Sequence, residues 1–334
     1  METRILGKNL KVSAIGLGCM GFTHAYGAPS DDAEAAAAIR AAVDMGYTFF
    51  DTAECYIGER ADGSTAYNEE LVGAALKDVR EQVVIATKFG VRHENRMLVM
   101  DSKPETIRTS VDGSLKRLGT DHVELYYQHR IDPEVSPEEV AGVMRELMDA
   151  GKILHWGISE ADEDYLRRAY AVCPVTCVQN RYSMMARWHE ALFPVLEELN
   201  VGCVAFSPLA NGILTGAFQK GEKFAEGDYR GAMPQYSDEA FEANRKLFEL
   251  ISGLAREHGA TNAQVSLAWM LGKKPYVVPI PGSRKPERIR ENAGAANVQL
   301  SADEVAAIDA ALDGMEMSAV FGGSPVAKKY SKRI

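Results

Sequence analysis

The chain has 334 residues, 46% hydrophobic and 25% charged, with a formal net charge of −10. This is the composition of an ordinary globular protein and excludes collagen-like, disordered and disulfide-stapled chains. The acidic balance argues against a general nucleic-acid binder, since neutralising phosphates needs a Lys/Arg excess over some face.

No eighteen apolar residues run together, and the N-terminal "METRILGKNLKVSAIGLGCMG" lacks a long apolar stretch behind its basic residues, so neither a spanning helix nor a signal peptide is expected. The 5 cysteines are an odd number without the paired spacing of a zinc site, which suits reduced thiols and a cytoplasmic location. Buried free cysteine behaves as a small hydrophobe; Cys55, beside Tyr56, is the candidate for a reactive one.

Short β-branched or aromatic runs alternate with helical patterns along the whole chain. In order they are "AIGLG" (14–18), "YTFFD" (47–51), "VVIATK" (83–88), "VELYYQH" (123–129), "HWGIS" (155–159), "TCVQN" (176–180), "GCVAFS" (202–207) and "YVVPIP" (276–281). After the first comes "SDDAEAAAAIRAAVDMG", a helix with an acidic N-terminal turn and Gly46 as its stop. Capping boxes of the S/T-x-x-E/Q type open further helices at 136–139, 261–264 and 301–304.

Strands each followed by a helix are the pattern of a parallel sheet built from βα units. With no low-complexity linker and no second composition regime, the reading is an α/β fold of the (β/α)8 TIM-barrel type rather than a doubly wound sheet. A single domain over 1–334 is expected, irregular from about 313 to 334. "GLGCMG" (16–21) spells G-x-G-x-x-G, but "FTHAYGAPSD" follows where a helix should open. These glycines read as turns at the barrel mouth.

Active sites of such barrels lie at the C-terminal strand ends. The predicted strands end on Asp51, Lys88, His129, Ser159 and Gln179-Asn180, and "YTFFDTAECY" adds Glu54 and Tyr56 on the adjoining loop. Singly, each has an ordinary reading as a cap, a solvated end or a packed ring. Jointly, an acid, an ammonium, an imidazole and a phenol on one rim suit proton donation to a carbonyl as hydride reaches its carbon. A phenol, with a pKa of about 10, needs a nearby cation to lower that value. Lys88 can supply the cation, Asp51 its counter-ion, and His129 can orient the carbonyl. No His, Cys and carboxylate cluster has ligand spacing, so no metal is expected.

At these residues the sequence resembles the aldo-keto reductases, from about Leu6 to Leu312. "FFDTAECY", "IATKFG" and "YYQHRIDP" look like the motifs that carry the family's tetrad, which map onto Asp51, Tyr56, Lys88 and His129. "GKILHWGISEA", "VQNRYS", "FSPLANGILTG" and "PIPGSRKPERIREN" resemble its cofactor-binding segments, in the expected order. The resemblance implies that Ser159 and Gln179, with Asn180 adjacent, hold a nicotinamide carboxamide. It implies too that Phe206 stacks on the ring where many members have tyrosine, and that Ser207, Leu209 and Gly212 line the pyrophosphate. Gly282, Ser283, Arg284, Arg288, Glu291 and Asn292 would hold the adenosine end.

Arg284, Lys285, Arg288 and Arg290 crowd one stretch of an acidic chain, and guanidinium forks suit a phosphate monoester, so NADPH/NADP is the expected cofactor. The same arginines can stack on adenine, which leaves NADH open. The expected function is NADPH-dependent reduction of an aldehyde or ketone, a small-molecule carbonyl substrate, reversible in principle as an alcohol dehydrogenase. The alternatives are a cofactor-binding redox sensor or regulatory subunit with little turnover, and a cofactor-recycling sugar isomerase or lyase.

The family usually has Gly directly after the catalytic tyrosine. Here the order is Tyr56-Ile57-Gly58, followed by a longer loop to about residue 69. "HAYGAP" (24–29) and "FGGSPVAKKYSKRI" (321–334) are two more stretches placed to cover the mouth. Trp156, Tyr26, Trp188 and Phe321 are candidates for pocket walls or ordinary packing, and Arg130 for a salt bridge beneath the site. Nothing in the sequence marks a helix face as a subunit interface.

Overall fold

The computed structural model describes residues 1–94 and 97–322. The barrel strands are β1 (Leu17–Gly18), β2 (Phe49–Asp51), β3 (Val84–Phe89), β4 (Val123–Gln128), β5 (Ile153–Ser159), β6 (Cys177–Arg181), β7 (Gly202–Phe206) and β8 (Val277–Pro279). They form one 8-stranded sheet in chain order, each neighbouring pair parallel. The barrel closes where Gly16 N donates to the Pro279 carbonyl at 2.9 Å and Gly18 N to that of Pro281 at 3.3 Å.

That seam explains glycines expected to be turns. A Cβ on Gly18 would come within 2.8 Å of the Ile280 carbonyl oxygen, and one on Gly282 within 2.7 Å of that of Gly18. Gly18 and Gly282 therefore let two backbones approach rather than reverse the chain, while a Cβ on Gly16 would strike the Phe49 ring at 2.6 Å.

Leu6, Leu10, Phe49, Ala86, Leu125, Tyr127, Cys177, Val204 and Val278 fill the barrel interior. Leu6 and Leu10 belong to an antiparallel hairpin, Thr3–Leu6 with Leu10–Ser13. The hairpin lies against Thr176 and Gly202, at the starts of β6 and β7, and so closes the barrel at the strand N-termini. Leu6 is fully buried there, a burial that stabilises the plug by roughly 1.5–3 kcal/mol.

Each anticipated capping box is formed. Glu139 N donates to Ser136 Oγ while Ser136 N donates to Glu139 Oε2, and the same exchange joins Thr261 with Gln264 and Ser301 with Glu304. The helix Asp32–Asp44 is capped by Asp31, and Gly46 follows it at φ 91°.

Two hairpins rise beyond strand C-terminal ends: Ile57–Glu59 with Thr65–Tyr67 after β2, and Val91–Glu94 with Met97–Met100 after β3. Residues 314–322 have no helix or strand, but Ser318 N donates to Asn244 Oδ1 and Phe321 N to Gln235 Oε1. The remainder of the predicted irregular segment, 323–334, lies outside the described residues. Among those described, no helix is long and apolar enough to cross a membrane.

Candidate active site

The two-residue period of a strand decides which side chains enter the barrel. Phe49, Ala86, Tyr127, Cys177 and Val204 pack in the interior. Asp51, Lys88, His129, Gln179 and Phe206 follow them by two positions and enter on the same side, one step nearer the mouth. β5 obeys the same rule: a Cβ on Gly157 would strike the Tyr127 ring at 2.5 Å, and Ser159 lies two residues beyond. An apolar core is thus topped by a polar layer.

In that layer Lys88 Nζ donates to Asp51 Oδ1 at 2.5 Å, to the Thr52 carbonyl at 2.7 Å and to the Tyr56 hydroxyl at 3.2 Å. The other Asp51 oxygen accepts from Gln179 Nε2 at 2.8 Å. The Lys88 and Asp51 side chains are 0% and 4% exposed, so their charges balance inside the protein, not in water. Burial works against the Lys88 ammonium, but Asp51 and Tyr56 outweigh it and hold its pKa above the ordinary value.

Tyr56 departs from expectation. Burial pushes its phenol up to about 12, although Lys88 pulls the other way. The cation is where it was sought, but it moderates the rise without reversing it.

His129 meets Tyr56 edge to face, ring centroids 5.7 Å apart, and its Nδ1 lies 3.4 Å from Cys55 Sγ. Burial, helped by Arg130 and Lys88, depresses the His129 pKa far below the usual value, so the ring is neutral. Cys55 is no reactive thiol: it is buried, and burial raises its pKa to about 12. Glu54 accepts from Gly90 N at 2.9 Å, pinning the start of the second hairpin.

Other rings lie over Tyr56: the 24–29 stretch expected at the mouth supplies His24, whereas His93 and Tyr229 were not anticipated. His24 lies nearly parallel to it at 6.2 Å, with His93 at 4.9 Å and Tyr229 at 5.7 Å from His24. His24 Nδ1 is held by the Ile57 carbonyl at 2.9 Å. None of these residues ends a strand, so strand-end reasoning had no signal for them.

On the far side, Ser159 Oγ accepts from Arg130 Nη1 at 3.0 Å, and the same nitrogen donates to the His129 carbonyl at 2.7 Å. Arg130 thus bridges β4 and β5 through neutral partners, where an ion pair was expected. Asn180 accepts from Glu160 N at 3.1 Å and shapes the chain after β5. The Phe206 ring carries Arg181 at 4.8 Å and Arg130 at 5.7 Å. Arg181, two residues past Gln179 and hence also inward, was missed; the period would have found it.

After β7 the backbone takes positive φ at Ser207 (50°), Ala210 (48°), Asn211 (62°) and Gly212 (106°), with Leu209 buried between. Left-handed non-glycine residues store strain of about 1–3 kcal/mol each and cluster at ligand clamps. Successive N–H groups in such turns form anion-binding concavities. Asn211 Nδ2 also donates to Tyr26, which lies beneath Arg230. Tyr26 therefore shapes this loop, whereas Trp156 is core, its indole N–H given to the Pro174 carbonyl, and Trp188 is 55% exposed.

Ser283 Oγ accepts from Lys285 N ahead of the helix Pro286–Gly294. Arg284 donates to the carbonyls of Gly21 and Ala28, while its buried Nη2 has no partner. Arg288 pairs with Glu291 at 2.6 Å, and Asn292 is buried on the same helix. An unpartnered buried guanidinium nitrogen beside a helix N-terminus suits a phosphate group, so these residues fit a nucleotide cofactor.

The model of the aldo/keto reductase family matches residues 14–313. A protein of Glycine max named probable aldo-keto reductase 1 is 40% identical over 299 residues, covering 88% of this chain and 84% of its own. The structure of a glycerol dehydrogenase from Gluconobacter oxydans superposes with a TM-score of 0.83 at 26% identity, over 96% of this chain and 98% of that one. A thermostable aldo-keto reductase, Tm1743, solved with the inhibitor epalrestat, gives 0.70 at 30% identity, over 93% and 100%. The chain belongs to the aldo/keto reductase family.

Proposed function

We propose that this protein reduces an aldehyde or ketone to the alcohol with NADPH, and that Tyr56 is the general acid. The reading is carried by Lys88 Nζ, which touches both the Asp51 carboxylate and the Tyr56 hydroxyl. Family membership implies nicotinamide-dependent carbonyl reduction; the cofactor, the acid and the other roles are the proposal.

When bound, the nicotinamide supplies the hydride that adds to the carbonyl carbon. Tyr56 gives its phenolic proton to the carbonyl oxygen as negative charge develops there, and the Lys88 ammonium stabilises the phenolate left behind. Asp51 keeps that ammonium charged in a buried place. His129, neutral, orients the carbonyl. Ser159 and Gln179 would hold the carboxamide, Phe206 the ring face, Ser207, Leu209 and Gly212 the pyrophosphate. Gly282, Ser283, Arg284, Arg288, Glu291 and Asn292 would hold the adenosine end.

NADPH consumption, followed by absorbance over a panel of aldehydes, ketones and sugars, tests the proposal. Steady turnover supports it. Tight NADPH binding without turnover would make the protein a cofactor-binding sensor, and conversion of a sugar without net NADPH loss an isomerase or lyase.

The structure sharpens the expectation for the basic cluster. Arg284 anchors the 21–28 segment, so Arg284→Ala is expected to weaken NADPH and NADH alike. Arg288 is 50% exposed and, among the described residues, is held only by Glu291 on its own helix. Losing a charge-assisted contact of about 1.5–3 kcal/mol, Arg288→Ala should raise the NADPH Kd by about 10- to 100-fold and leave NADH within about twofold. Equal loss for both cofactors in titrations of Arg288→Ala would remove the 2′-phosphate argument.

A further inference from the structure

We infer that Cys55 is a positioning residue: its S–H donates to His129 Nδ1 and so fixes the imidazole as the tautomer with the proton on Nε2, facing the substrate. The inference rests on the proposed reductase reading for its catalytic consequence, though the tautomer itself can be observed without turnover.

A neutral imidazole has one N–H and one acceptor nitrogen, and the partner of one decides the state of the other. His129 is neutral, as its buried surroundings require. Its Nδ1 faces Cys55 Sγ at 3.4 Å. Its Nε2 has no protein hydrogen bond among the described residues, and it is not one of the buried atoms left unpartnered, so it is open to the pocket.

The contact can run two ways. With Nδ1–H donating, the acceptor is a thiol sulfur, a weak one, the S–H is left unused, and a bare nitrogen lone pair faces the mouth. With S–H donating, the acceptor is an imidazole nitrogen, a strong one, and Nε2–H points outward. Cys55 keeps its proton, since burial holds its thiol well above neutrality. The second arrangement uses both donors. It also presents a donor where a carbonyl oxygen, which only accepts, is to be held beside Tyr56.

The direct test is nitrogen NMR of His129 in the wild-type protein at neutral pH. The expected spectrum has Nδ1 unprotonated and Nε2 protonated; the reverse pattern would overturn the inference whatever the activity. Kinetics supply the second arm. Cys55→Ala removes the donor and is expected to lower kcat by about 5- to 10-fold with KM little changed, the size of one hydrogen bond that strengthens in the transition state. Cys55→Ser keeps a donor at the same place and should recover most of the rate. Cys55→Ser as impaired as Cys55→Ala, at equal thermal stability, would reduce the residue to packing and sink the positioning role. An Nε2-protonated His129 in a wild type that reduces no carbonyl would leave the tautomer standing and refute the reductase reading.

Discussion

Tyr56→Phe is expected to lower the kcat of carbonyl reduction by about 10²- to 10⁴-fold, the usual contribution of a positioned general acid, with NADPH affinity within about twofold because the lost hydroxyl faces Lys88 rather than the nucleotide segments. The substitution keeps the ring that packs edge to face on His129 and parallel to His24, so the pocket walls should survive. What disappears is the oxygen 3.2 Å from Lys88 Nζ. The pH dependence follows from the buried phenol. With its pKa pushed up to about 12, Tyr56 is protonated throughout the neutral range, and reduction should show no loss from this group on raising the pH from about 6 to 9. Oxidation of the alcohol needs the phenolate, whose fraction below the pKa grows tenfold per pH unit, so the reverse rate should climb across the same range. Stopped-time or continuous absorbance assays in both directions read this. A Tyr56→Phe variant with full activity would move the acid elsewhere, with His129 the nearest alternative.

How far the sequence reaches is set by what is local. All the predicted runs overlap a barrel strand because Val, Ile and aromatic residues bounded by turns suffice to mark a buried parallel strand. The capping boxes were legible for the same reason: Ser136 and Glu139 find each other within one turn. The polar layer was half legible. Strand ends put Asp51, Lys88 and His129 on one rim, but nothing in the chain says that Gln179, 128 residues from Asp51, donates to it. The N-terminal plug and the pairing of Val91–Glu94 with Met97–Met100 went unseen, since their short strands resemble loop. The direction of the Tyr56 shift was misjudged because sequence supplies the neighbouring cation but not the depth of burial, and burial is the larger of the two effects. Cys55 shows the same limit: adjacency to Tyr56 suggested reactivity, whereas its surroundings make it an inert donor.

The second large effect is expected at Lys88. Lys88→Met should cost about 3–5 kcal/mol of stability, the penalty for leaving a buried charge without its partner, and should reduce carbonyl turnover severely as well. The ammonium serves Asp51, the Thr52 carbonyl and Tyr56 at once, with no water to replace it at a fully buried position. Once it is gone, Asp51 keeps, among the described residues, the Gln179 amide alone, and its carboxyl, already raised by burial in the wild type, rises further. A carboxyl with a folded pKa above its unfolded value of about 3.9 binds protons better in the folded state, so the variant loses stability as pH rises through that window. The deficit relative to wild type should be smallest near pH 4 and grow toward neutrality until the raised pKa is passed, a trend that urea unfolding at several pH values would display. Adding Asp51→Asn removes the stranded charge while keeping a polar partner for Gln179. The double variant should regain much of the stability and none of the activity, because the cation that stabilises the Tyr56 phenolate is still missing. Stability lost in Lys88→Met but not regained in the double variant would mean that Lys88 holds the barrel mouth by packing and by its Thr52 contact. Activity regained in the double variant would mean that Tyr56 needs no cation at all.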